Sequence, residues 1–242
     1  ISGCISCTDD AIAAGEASTL YLYSKVAVKK ILQFNKNAKF IVMVRNPVEM
    51  AQSMHAQLYQ SGHEQIRDFT KAWEAEELRK EGKLSFTTLT KELDPQLLWS
   101  RDICSTGSQI ERLLETVPNK ENVHIILFDD FKRDTKKVYE DVLKFLEVPS
   151  DGRTEFPVEN KRKMPRSGLL VRLVHTIGKF RTKIGLKKGF GVLKFVERVN
   201  MKTNYISPKL PNEVHRELVD YFSIEIDKLS NLLNRDLSHW KE

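Results

Sequence analysis

The chain has 242 residues, enough for one substantial domain with its own core and too few for two large ones. Its composition, 40% hydrophobic and 30% charged with 11 Gly, 8 Pro and 3 Cys, excludes collagen-like, disulfide-scaffold and wholly disordered classes. The net charge of +6 is uneven: residues 161–202 hold thirteen Lys or Arg against one acid, Glu197, so that segment carries +12 and the other 200 residues sum to −6.

TLYLYS (19–24) has strand-forming residues, and the apolar positions Val26, Val28, Ile31 and Leu32 after it suit a helix. KFIVMV (39–44) is a continuous branched run flanked by helical patterns, which predicts a buried strand of a parallel sheet. Pro47 then opens a helix to about Gln60, because proline in the first turn forfeits no hydrogen bond. A further helix is predicted over Gln65 to Lys80, and Asp94-Pro95 marks a turn. Residues 108–117 read as helix and 123–128 (VHIILF) as a second buried strand. Residues 135–148 form an amphipathic helix burying Val138, Val142, Phe145 and Leu146 and stopped by Pro149. From Pro211 onward, Leu218, Phe222, Ile226, Leu229 and Leu233 make one helical stripe. Strands alternating with helices imply an α/β layered fold with a parallel sheet.

Among candidate sites, Cys4 and Cys7 form a C-x-x-C without the strand-helix setting of a redox pair or two further zinc ligands, and read as structural or incidental. His63-Glu64 lacks the second His of a helical zinc motif, so no metal is expected. Arg45 directly follows the first buried strand, where α/β sheets bind ligands, and its planar fork of donors suits phosphate oxygens. Helical steps from Asn46 bring Met50, Ser53 and Gln57 to one face, so the Ser53 hydroxyl is a companion to Arg45. The alternative is an ordinary strand-end salt bridge and a packed serine.

KFIVMVRNPVEMAQSMH (39–55) resembles the 3′-phosphate-binding element of sulfotransferases that use 3′-phosphoadenosine 5′-phosphosulfate. That element has the pattern R-N-P-x-x-R-A-x-S, in which Arg45 and Ser53 match the two phosphate contacts, while Met50 stands where the pattern usually has Arg. GEASTLYLYS (15–24) is similar to the family's G-E-x-S-P-x-Y segment, with Thr19 in place of proline. HIILFDDFKRDTKKVYEDVLKFLEV, VENKRKMPRS and LLNRDLSHW also look familial. The resemblance implies a P-loop-NTPase-like three-layer α/β fold, a parallel sheet flanked by helices, and sulfuryl transfer from the phosphosulfate donor to a hydroxyl or amine acceptor, with carbohydrate as the expected class. It also implies a cofactor role for Arg166, which follows a proline where the family's late loop closes over the nucleotide. Glu16 is a candidate base, or a carboxylate that braces the turn beside Ser18 and Thr19.

The family's phosphosulfate loop, G-x-x-K-[SAC]-G-T-T, has no counterpart here, and the chain starts with Ile1 rather than Met. The expectation is therefore that residues 1–242 are one sulfotransferase domain lacking its first strand, loop and helix, and inactive as it stands. The compartment follows the form of the whole protein: cytoplasmic for a bacterial one, Golgi lumen for an anchored eukaryotic one. The basic 161–202 segment either exposes the solvated side of an amphipathic helix or meets an anion. An anionic glycan acceptor is one such partner; a membrane surface held without chemistry is the alternative function. No nucleic acid is expected, because no nucleic-acid fold or interleaved aromatic platform is present.

Overall fold

The computed structural model describes residues 12–84, 95–157, 163–165, 167, 170, 173–174, 176–177, 199–203 and 209–242. The described elements are α1 (Ala27–Phe34), β1 (Phe40–Val44), α2 (Pro47–Gln60), α3 (Phe69–Lys80), α4 (Ser100–Cys104), α5 (Thr106–Thr116), β2 (Val123–Leu127), α6 (Phe128–Arg133), α7 (Thr135–Leu146), β3 (Lys163–Pro165), β4 (Met201–Thr203) and α8 (Asn212–Leu233). The chain divides into two compact units, the first Ile1–Pro47, Ser105–Pro157 and Phe222–Glu242, the second Val48–Cys104 and Val158–Tyr221. Among the described residues no helix is long and apolar enough to cross a membrane.

The first unit is built on β1 and β2, paired in parallel from Phe40 opposite Val123 to Val44 opposite Leu127. Two branched runs separated by helical chain can pair this way because a parallel ladder needs a long crossover. The pairing makes the chain α/β with a parallel sheet flanked by helices, as the run pattern implies. α6 and α7 lie against β2, and the Phe145 ring stacks on His124 with centroids 5.1 Å apart. Val44, Ile126, Ile110, Leu113, Phe222, Ile226, Leu229 and Trp240 form its buried core. The sheet is less covered than its apolar sequence implies: Ile41 and Met43 are 44% and 47% exposed on one face of β1.

Three other expectations change. TLYLYS is a run of turns, not a strand: Ser24 N donates to the Leu20 carbonyl, and the Arg112 guanidinium takes up the carbonyls of Leu22 and Tyr23 at 2.6 and 3.1 Å. α3 begins four residues later than Gln65, because the Glu64 carboxylate accepts from the backbone N–H groups of Gln65 and Ile66 and Asp68 caps the helix by accepting from Lys71 N. α7 ends at a left-handed Glu147 (φ 60°) before Pro149 is reached, and its apolar stripe is half-buried.

In the second unit Trp73, Ala75, Val48, Ala51, Tyr59, Ile103, Cys104 and Leu218 are buried. β3 and β4 pair antiparallel, Lys163 opposite Thr203. Beside them the Asn200 side chain closes a two-way bridge to Ser167, accepting from its N–H at 3.0 Å and donating to its carbonyl at 2.9 Å.

Candidate functional site

β1 and β2 end together, and the residue after each faces the other strand's successor. Arg45 follows Val44, Phe128 follows Leu127, and the Arg45 guanidinium lies over the Phe128 ring at 5.0 Å. A ring behind a guanidinium restrains its plane, and a charged planar fork of donors held in one plane suits an anion's oxygens. One residue further on, Asn46 donates to the Trp240 carbonyl at 3.2 Å and Asp129 accepts from the Trp240 indole N–H at 2.6 Å. Asp129 also meets Lys132 at 3.0 Å and His239 at 3.3 Å. Burial would raise the Asp129 carboxyl, but the hydrogen bonds from Trp240, Lys132 and His239 outweigh it and hold it below the usual carboxylate range. Next to it, the hydrogen bond and charge of Arg235, helped by Arg133, lower Asp130. A groove of about 360 Å³ runs along β2 beside this pair, with His124, Lys137, Asp141 and Arg235 in its walls.

Residues 23–168, more than half of the chain, match the family described as the sulfotransferase domain. The chain belongs to that family. The fold agrees with a crystal structure of a sulfotransferase from Alicyclobacillus acidocaldarius, at a TM-score of 0.61 and 22% identity over 94% of this chain and 67% of that one. No curated protein matches it. Membership makes the protein a transferase of the sulfotransferase type, with the P-loop-like α/β architecture that its parallel strands and flanking helices display.

The sulfotransferase domain carries its sequence-predicted site residues as follows. Arg45 is half-buried at the strand end in the first unit; Ser53 is half-buried in the second turn of α2, in the second unit. Glu16 is exposed, and its carboxylate accepts from the Tyr21 hydroxyl, which raises that phenol. This partner is the one a turn-bracing carboxylate would have. Arg166, Cys4, Cys7 and most of the basic segment lie outside the described residues. Among the described residues no group of three His, Cys, Asp or Glu is arranged to hold a metal ion. Burial pushes the Cys104 thiol far up, so it stays protonated.

Sequence reasoning missed the contacts of Asn46, Asp129 and Phe128 with their partners, since each joins segments more than eighty residues apart. It also missed a buried cluster in the second unit. There Glu76 accepts from Ser100 Oγ at 2.6 Å and Arg101 N at 3.1 Å, while the Arg101 guanidinium lies 3.8 Å over the Trp73 ring and donates to the Trp73 carbonyl. These buried polar groups partner one another, as a structural network does.

Proposed function

We propose that the protein transfers the sulfuryl group of 3′-phosphoadenosine 5′-phosphosulfate to a hydroxyl or amine of a carbohydrate acceptor, with Arg45 and Ser53 holding the donor's 3′-phosphate. The observation that carries this reading is Arg45 at the carboxyl end of a parallel strand, its guanidinium backed by Phe128 within a sulfotransferase domain. In the reaction, the sulfur's bond to the bridging phosphate oxygen breaks as the acceptor oxygen or nitrogen bonds to sulfur. The acceptor's proton passes to a base, and adenosine 3′,5′-bisphosphate leaves with the electron pair. A loose transition state of this kind rewards positioning and fixed positive charge more than covalent help. An anchor on the 3′-phosphate, remote from the sulfur, holds the donor in register for attack.

The charge of residues 161–202 favours an anionic glycan as acceptor. Calorimetric titration with adenosine 3′,5′-bisphosphate tests the nucleotide half of the proposal. Arg45→Ala is expected to cost about 2–4 kcal/mol of binding, for a charge and up to two hydrogen bonds, and Ser53→Ala about 1 kcal/mol, for one neutral donor. Unchanged affinity in Arg45→Ala would remove the assignment.

A further inference from the structure

The C-terminal turn, Ser238–Lys241, touches both strand ends. Trp240 is 2% exposed, its carbonyl accepts from Asn46 Nδ2 at 3.2 Å, and its indole N–H donates to Asp129 Oδ2 at 2.6 Å. Asn46 is the residue after Arg45, and Asp129 the residue after Phe128. The two residues that Trp240 grips therefore neighbour, in sequence, the two that make the guanidinium–ring contact at 5.0 Å. The strand register runs straight into this arrangement, Val44 opposite Leu127.

We infer that Trp240 is a positioning residue: by clamping the β1 and β2 turns to one another it sets Phe128 under Arg45 and so fixes where the Arg45 donors point. This rests on the reading of Arg45 as the 3′-phosphate ligand. A bidentate or near-bidentate contact to phosphate is sensitive to small displacements of the guanidinium plane, and a cation–π contact restrains that plane only while the ring itself is held. Phe128 opens α6, a helix of one and a half turns, and the hydrogen bond of its neighbour Asp129 to Trp240 ties that turn to the C-terminus. Asp129 keeps its charge for this purpose through Lys132 and His239.

The experiment is titration of the protein and its variants with adenosine 3′,5′-bisphosphate and, separately, with adenosine 5′-monophosphate, which lacks the 3′-phosphate. Trp240→Phe keeps an aromatic body and removes the N–H. It is expected to weaken bisphosphate binding about five- to tenfold and monophosphate binding less than about twofold. Asp129→Ala is expected to behave alike, while Asp129→Asn, which still offers the indole an oxygen, retains affinity within about threefold of wild type. In the background of Arg45→Ala, adding Trp240→Phe should cost nothing further, since the clamp acts through a side chain already removed. Equal losses for the two nucleotides, a full additional loss in the double variant, or undiminished bisphosphate affinity in both Trp240→Phe and Asp129→Ala would overturn the inference. Unchanged affinity in Arg45→Ala alone would instead overturn the reading on which it rests.

Discussion

At the residue scale, Glu64 shows how a residue that looks chemical in the sequence is used structurally. His63-Glu64 sits in a setting that resembles half a metal motif, yet Arg79 grips both Glu64 oxygens at 2.7 and 2.8 Å, the two side chains are only 8% and 4% exposed, and His63 Nδ1 meets Ser61 Oγ at 2.7 Å. Burial alone would raise the Glu64 carboxyl; the Arg79 bonds and charge, with the N–H groups of Ile66 and Gln65, bring it below its ordinary value. Removing one partner of a buried pair leaves an uncompensated charge, so Arg79→Ala is expected to lower stability by about 3–5 kcal/mol at pH 7. A carboxylate whose folded pKa is depressed contributes stability above its unfolded pKa and loses it as pH falls through the folded one. The gap between wild type and Arg79→Ala should therefore narrow as pH falls, because the unpaired Glu64 of the variant takes up its proton first and the paired Glu64 of the wild type loses its advantage only at lower pH. Glu76, raised chiefly by burial, pulls the other way, since acid relieves the cost of its charge. The difference between the two proteins is thus the cleaner readout, taken from urea unfolding at pH 7 and pH 3. A gap that persists undiminished at pH 3 would show that Glu64 does not carry it.

At the element scale, what was legible follows the range of the forces involved. β1, β2, α2 and α8 were readable because a branched run, a proline at a first turn and a four-three-four stripe act over a few residues; Leu218, Phe222, Ile226 and Leu229 are all at most 1% exposed in α8. TLYLYS misled because strand propensity needs a partner strand, and Arg112 of α5 captures its carbonyls instead. Arg45 was legible as a cation after a buried strand, whereas Trp240, Phe128 and Asp129 needed the fold to meet. The packing of α5 on α8 is a further long-range term. A Cβ on Gly107 would fall well inside contact distance of the Glu225 carbonyl oxygen, while the Glu225 carboxylate accepts from Ser108 N at 2.7 Å and Ser108 Oγ at 2.6 Å at the start of α5. Alanine gains about 1 kcal/mol of helix propensity over glycine, against about 1–3 kcal/mol for overpacking against backbone that cannot swing aside, plus the loss of the Glu225 bonds. Gly107→Ala is therefore expected to destabilise, read as a lower urea midpoint at unchanged slope. A raised midpoint would mean that the helices separate freely there.

At the scale of the whole molecule, charge is the property that the fold organises least evenly. The +12 lies in residues 161–202, whose described ends pair, Lys163 opposite Thr203, with the Ser167–Asn200 bridge beside them. Thirteen cations close together in sequence can sum their attraction for a polyanion. The screening length of about 10 Å at 0.1 M salt makes that sum salt-sensitive. If Arg45 anchors the nucleotide as proposed, that binding depends instead on a short-range contact that salt weakens little. If the segment recruits an anionic acceptor, neutralising Lys179, Arg181, Lys183, Lys187 and Lys188 together should weaken binding of a sulfated glycan and flatten its dependence on salt, with affinity for adenosine 3′,5′-bisphosphate nearly unchanged. Titrating both ligands into wild type and the fivefold variant between about 0.05 and 0.3 M salt separates the cases, since surface charge is screened over that range. Equal loss for both ligands would assign the segment to the nucleotide site. Loss of neither would leave its cations as the solvated side of an amphipathic helix, and the acceptor would then be recognised without them.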